Sequence, residues 1–450
     1  MLSNFPRPAH LAESRRHRRR LGVAAGATVA LIASVLGTGI AAAGESTSPT
    51  TCVVKAGTGA VSVGVAGDST ALAAALADES IPTIYVGGIC KGNFTINRTV
   101  NVIGGLRANG SLGEKGTAIL DGQATDAVIS GYNSTVTVSL SRLIIRNGNG
   151  FDGGGILNYG SLTLSRSTVS GNTAARYGGG IANFGGSLTL NHSTVIGNTA
   201  TDGGGGGINN YLGTITLIKS KVSGNSAAEG GGINNATEGT VSLTHSTISG
   251  NTATNPRSEG GGGIHNYVGT ITLRNSTVSF NSAASVGGGI KNFFGTMTLI
   301  KSKVSRNSAV AGGGIVNFGE SGNVTLTDST VTSNTAAPVS SSLGGPAGGG
   351  GILNGARATL TLDGHTKVTR NTATDGGGGG ILNNSGFFIP GRDGTLTTTD
   401  SWRGTTCGNT PDDFRAVKST TYAGQTAAPC SPHRKPHPSR HASRMPGPSA

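Results

Sequence analysis

The stretch GGGILNYGSLTLSRSTVSGNTA at residues 153–174 constrains this chain most, because it keeps coming back. It returns as GGGIANFGGSLTLNHSTVIGNTA and then as GGGINNYLGTITLIKSKVSGNSA. The Ile of each GGGI stands at 156, 181, 208, 233, 264, 290, 315, 352 and 381, at intervals of 25 to 37 residues. A period of this kind marks a repeat architecture, in which a unit buries its apolar side only by stacking on its neighbours. Each unit holds three short extended segments: one opening with GGGI, an LTL or ITL stretch, and STVSGN. None is long enough, or periodic enough, to be a helix. Side chains alternate along a strand, so Ile156, Leu162, Leu164 and Val169 should point inward, with Leu157 and Thr163 outward. A propeller blade needs about 40 residues or more. Three strands of about five residues with their turns fit the shorter unit better. The expected fold is all-β: a right-handed parallel β-helix of nine GGGI coils. The long intervals 233–264 and 315–352 read as loops swelling from single coils and carrying Pro256, Pro338 and Pro346.

Two asparagines recur in step with the Ile. One column is Asn158, Asn183, Asn210, Asn235, Asn266, Asn292, Asn317, Asn354 and Asn383. The other is Asn172, Asn198, Asn225, Asn251, Asn281, Asn307, Asn334 and Asn371. Catalysis uses one or two such residues, not a full column. Coils stacked about 4.8 Å apart let each amide hydrogen-bond to the next, so both columns read as asparagine ladders that satisfy buried polar groups.

A chain with 78 Gly, 12% charged and 4% aromatic residues would otherwise look disordered, and the repeat overrides that reading. The formal charge of +13 is unevenly placed. Residues 1–43 carry +5, residues 431–450 carry +4, and the 387 between them only +4. Nucleic-acid binders cluster basic charge on a folded face, so no nucleic-acid partner is expected.

Residues 1–43 read as a signal peptide: Arg15 to Arg20 form a basic start, Leu21 to Ile40 an apolar run, and Ala41-Ala42-Ala43 a small-residue cleavage site. The mature chain would then meet no membrane, unless the signal stays uncleaved as an anchor. Cys52, Cys90, Cys407 and Cys430 flank the repeats, which suggests one disulfide at each end in an oxidising compartment. Residues 44–130 are assigned to an N-terminal cap and irregular first coils, 131–384 to the repeats, 385–430 to a C-terminal cap and 431–450 to a disordered basic tail. Thr70 to Ala77 (TALAAALA) is the one good helix former, placed as the N-terminal capping helix.

The GGGI runs, followed by V-x-x-N or I-x-x-N as in Val169-Ser170-Gly171-Asn172 and Ile248-Ser249-Gly250-Asn251, resemble the GGA[ILV] and FxxN repeats of polymorphic outer-membrane-type proteins. Those belong to the pectin-lyase-like superfamily of right-handed parallel β-helices. Val or Ile replaces the Phe, and no C-terminal run of amphipathic strands could build a barrel. The resemblance therefore implies a secreted repeat protein rather than an autotransporter.

Two columns remain to carry function. Tyr159, Phe184, Tyr211, Tyr267, Phe293 and Phe318 follow the first asparagine, interrupted by Ala236, and form a candidate glycan-stacking stripe. The competing role is ring-on-ring stacking for stability. Asp152, Asp202, Glu229, Glu259 and Asp375 precede their glycine runs and could recruit Ca²⁺ weakly, or simply face water. The superfamily contains polysaccharide lyases and glycoside hydrolases, which assemble carboxylates in a cleft. Here the outward strand positions are mostly Ser, Thr and Asn, His265 has no acid in its own strand, and Lys219, Lys221, Lys301 and Lys303 are surface charges on non-adjacent coils. No catalytic residue, resident metal or cofactor is assigned. The sequence points to a non-catalytic, adhesin-like or glycan-binding protein at the cell surface or outside the cell, with a carbohydrate-active enzyme as the alternative.

Overall fold

A computed structural model describes residues 51–417, apart from 58–60, 64–69, 114–115, 132, 257–259, 338–347, 356, 375–377, 385–394, 399–404, 408 and 411–413. Residues 1–43, read above as a signal peptide, lie outside the described residues, as do Cys430, residues 431–450, Glu259 and Asp375.

The repeats form a parallel β-helix. Four sheets of 14, 12, 9 and 12 strands run along it, with each strand hydrogen-bonded to the equivalent strand of the next coil. The coil beginning at Ile156 shows the plan. Ile156–Asn158 lies on the isoleucine face, Ser161–Ser165 on the long face, Thr168–Ser170 on the valine face and Thr173–Tyr177 on the alanine face. The nine GGGI strands pair in unbroken order, Ile156 on Ile181 through to Ile352 on Ile381.

The coil thus has four strands where the sequence suggested three. The fourth is short, as in Thr199–Ala200 and Ser226–Ala227. Two residues cannot display an alternation, and the inward one is only an alanine, so the segment reads as a turn. The opening coil, by contrast, shows three strands, at Thr83–Gly87, Ile89–Lys91 and Phe94–Thr95.

Inward residues behave as alternation requires. Ile156, Leu162, Leu164 and Val169 are all buried, and their equivalents join one continuous core. Both asparagine columns are ladders. Asn158 Nδ2 donates to Asn183 Oδ1 (2.6 Å), and the chain of amides continues to Asn354 on Asn383 (2.8 Å). The second column runs from Asn172 on Asn198 (2.9 Å) and extends one coil beyond the sequence reading, to Asn371 on Asn409 (3.0 Å). A third ladder was not foreseen: the backbone N–H of Ser167 donates to Ser193 Oγ (3.1 Å), that of Ser193 to Ser220 Oγ (3.0 Å), and so on. Serine is too common in this chain to stand out as a column.

The N-terminal end is closed as expected. The helix Thr70–Ala77 buries Leu72, Ala75 and Leu76 against the first coil. Arg98 meets its C-terminal carbonyls, donating to Ala75 O and Leu76 O at 2.7 Å each, where a cation also opposes the helix dipole. Cys52 and Cys90 form the predicted disulfide. A Cys407–Cys430 bond involves a residue outside those described.

One face departs from simple alternation. The residue after each GGGI Ile points away from the core, yet Ala182, Asn209, Asn234, His265, Lys291, Val316, Leu353 and Leu382 are all buried. The chain between the alanine and isoleucine strands folds back over them. Gly312 takes φ +61°, and a Cβ there would lie 2.0 Å from Val316 Cγ2. Glycine is required at that point because backbone itself forms the cover. Val286, Val310 and Ala311 complete a second apolar layer with Val316, Phe318, Leu353 and Leu382.

Candidate functional site

The aromatic stripe sits on the edge where the isoleucine face turns into the long face. Register places Phe184 beside Tyr211 and Tyr267 beside Phe293 in neighbouring coils. Ring centroids are 5.6 Å apart for Tyr159 and Phe184, 6.3 Å for Phe184 and Tyr211, and 5.8 Å for Tyr267 and Phe293. Ala236 splits the stripe into two short stacks. These distances suit mutual support of the rings. Accessible ring surface remains, for Tyr211 and Tyr267 are each 42% exposed, and Leu212, Val268 and Phe294 extend the apolar edge. Phe318 differs from the others: it is 4% exposed and belongs to the second apolar layer.

The covered column on the isoleucine face changes character midway. Leu157 and Ala182 precede Asn209, Asn234, His265 and Lys291, and apolar Val316 follows. Asn234 Nδ2 donates to Asn209 Oδ1 (2.8 Å). His265 Nδ1 lies 3.5 Å from Glu229 Oε2, so the acid absent from its own strand arrives from the preceding coil. The hydrogen bond from His265 holds the Glu229 carboxyl below its ordinary range; burial opposes this, while the charges of His265 and Lys291 favour it. The Lys291 ammonium lies 4.7 Å from the centre of the Phe293 ring, which links the polar row to the aromatic edge. Glycine backbone covers the row, with Gly204 against Asn234, Gly260 against Glu229 and Gly287 against Lys291. Its chemistry is internal: a chain of polar groups that fixes the register of the cover. Nothing in the sequence signals this pairing, because the two residues meet only through coil stacking.

The acidic column does not stand as a single file. Asp152 receives Arg176 Nη2 at 2.7 Å and the backbone N–H of Tyr177 at 3.1 Å. Glu229 is engaged by His265, and Asp202 is exposed. Among the described residues, Asp328, Asp363 and His365 bring potential metal-ligand atoms within 4.8 Å of one another. The Asp363 carboxylate already accepts from the N–H groups of Asp328 and Thr366 and from Thr366 Oγ1 (2.8 Å), which makes it the cap of a turn. Further toward the N-terminus, burial tends to raise Asp121, but donors from Asn147, Gln123 and Arg146 outweigh it and hold the carboxyl low. No helix among the described residues is long and apolar enough to cross a membrane.

Comparison with protein-family models, with curated proteins and with solved structures yields no match, so the fold and the sites rest on the chain's own geometry.

Proposed function

We infer that this chain is an exported, non-catalytic β-helix protein of the pectin-lyase-like kind, acting outside the cell as an adhesin-like glycan binder. The carrying observation is the aromatic edge. Tyr211, Leu212, Tyr267, Val268 and Phe294 expose apolar surface in line along a coil stack whose neighbouring long-face residues are mostly Ser and Thr. Flat rings offer the apolar faces of sugars a contact that hydroxyl groups alone cannot supply. The Cys52–Cys90 disulfide fits an oxidising compartment, and with it export.

The carboxyls support the non-catalytic reading. A glycosidase keeps one acid protonated near neutral pH by raising its pKa. Asp121 and Glu229 are instead held low beside Arg146 and His265. The test is a glycan array run beside assays for unsaturated uronide and for new reducing ends. The double variant Tyr211→Ser, Tyr267→Ser should weaken glycan binding by about tenfold or more, equal to at least about 1.4 kcal/mol, with only a small fall in melting temperature from the lost contacts with Phe184 and Phe293. Undiminished binding would remove the aromatic edge from the proposal, and release of product would overturn its non-catalytic part.

A further inference from the structure

The long face presents an unusual surface to water. Its first outward position holds Thr214, Thr240, Thr270 and Thr296 in four successive coils. Its second holds Thr216, Ser242, Thr272 and Thr298. The two rows extend from Ser161 and Thr163 at one end to Thr359 and Thr361 at the other. Over these eight coils fifteen of the sixteen positions are Ser or Thr, Asn323 being the exception, and none is charged. At the usual surface share of about a quarter, about four of the sixteen would carry charge. Neither long interval interrupts these strands, because both open between the alanine and isoleucine strands.

The rows are ordered as well as uncharged. Thr214 pairs with Thr240, Thr240 with Thr270 and Thr270 with Thr296, and the second row follows in step without a bulge. The asparagine and serine ladders of each coil are the kind of device that holds a long sheet against twist. A β-branched side chain is stiff about χ1, so hydroxyl and methyl recur in fixed positions. Among the described residues the hydroxyls of Thr214, Thr216, Thr240, Thr270 and Thr272 have no partner in the chain. Only toward the N-terminal end does Ser187 Oγ turn aside, donating to Ser161 Oγ (3.0 Å). Parallel strands repeat at about 4.8 Å, and alternate residues of one strand lie about 6.7 Å apart, both within about a tenth of the oxygen spacings on a prism face of hexagonal ice, about 4.5 and 7.4 Å.

We propose that the long face binds ice. A crystal face of water is planar, periodic and uncharged, and the threonine rows complement it in all three respects. Each hydroxyl both donates and accepts, so it meets lattice waters of either orientation. Each methyl adds apolar surface around which water is already restricted. Stiff side chains on a paired sheet lose little freedom on binding. Other occupants fit less well. A polyanion needs cations, and the rows hold none. A protein partner needs aromatic or Arg anchors, and Ser and Thr are under-represented among such hot spots. A small molecule needs a concave pocket rather than a bulge-free sheet. The proposal uses neither the aromatic edge nor a sugar, so it stands apart from the glycan-binding reading.

The test grows ice slowly through a solution of the full chain and compares protein in the ice with protein left in the liquid. A solute without affinity for ice is pushed ahead of the front, whereas this chain should be taken into the crystal. It should also hold the freezing point of a seed crystal below its melting point. The variant Thr216→Tyr, Thr272→Tyr places bulky strand formers at the centre of the face and should abolish both effects. Thr194→Tyr, Thr247→Tyr makes the same change at outward positions of the valine face and should leave both unchanged. Urea midpoints of the two variants, measured side by side, establish that each is folded. Exclusion of the unmodified chain from ice would overturn the proposal. So would full uptake of the long-face variant, or equal losses in the two folded variants.

Discussion

Two outward-facing columns of the same coils have opposite fates. On the long face, Thr163, Thr189, Thr216 and Thr272 point away from the core and meet water. On the isoleucine face, Ala182, Asn209, His265 and Lys291 also point away from the core, yet they are buried. The strands are alike in direction, stacking and hydrogen bonding. What differs is the neighbouring chain: the glycine-rich segment between the alanine and isoleucine strands folds back over the second column, and no described residue covers the first. Alternation gives the direction of a side chain, whereas exposure depends on what lies above it. The cover can come close because it is backbone, and backbone can turn at positive φ only where a Cβ is absent.

The largest break in this comparison should come from the polar groups beneath both faces. Asn235→Leu leaves the Asn210 amide and the Asn266 carbonyl oxygen without their ladder partner in a site with no solvent access. A loss of about 3–5 kcal/mol is expected from stranding two buried groups, read as a fall in the urea midpoint. Thr216→Ala on the bare face should stay within about 0.5 kcal/mol. A smaller effect for Asn235→Leu would mean that the ladders are decorative.

Next comes the cover itself. Gly312→Ala places a Cβ against Val316 at a positive-φ site and should cost about 3 kcal/mol. Gly171 has a similar φ of +60° with nothing within 4 Å. Gly171→Ala should therefore cost only the conformational part, about 1–2 kcal/mol. Equal costs would show that the two glycines differ in nothing but sequence position. Thermal unfolding of the two variants side by side decides it.

Lysines of one coil sharpen the contrast further. Lys291→Ala removes a fully buried side chain from beside Phe293 and Glu229, for an expected loss of about 2–3 kcal/mol. Lys301→Ala removes an exposed one, with a change within about 0.5 kcal/mol. Chemical denaturation distinguishes the two.

The smallest effect concerns pH. Glu229 is held below its ordinary value of 4.5, so its ionised form stabilises the fold. That contribution is complete above pH 4.5 and is lost as the pH falls through the lowered value. Glu229→Gln should flatten this acid limb by lowering the midpoint at pH 7, where the ionised form contributes in full, while changing it little below the lowered value. Because the carboxylate is partly exposed, the limb should also shrink in high salt.

Much of the molecule was legible in the chain. Ile156, Leu162, Leu164 and Val169 declared the inner faces, because alternation and a fixed period are properties of order along the sequence. Asn158 and Asn172 declared the ladders, because a column of one polar residue type has few other uses in a stacked fold. The capping helix and the Cys52–Cys90 bond were legible from composition and position. The alanine face was not, because two residues carry no period. The cover was not, because glycine has no side chain with which to signal a face. Phe318 was assigned to the same stripe as Tyr211, but only the second apolar layer placed it out of reach.

By itself, then, the sequence determined the repeat, the parallel stacking and the identity of the core, since these follow from which residue types recur at which spacing. Tertiary structure alone decided that Glu229 meets His265 and that Lys291 is buried while Lys301 is exposed. The reason is geometric. Strand register turns residues about one coil apart in the chain into neighbours about 4.8 Å apart in space, and the fold-back of a glycine segment decides which of those neighbours water can reach.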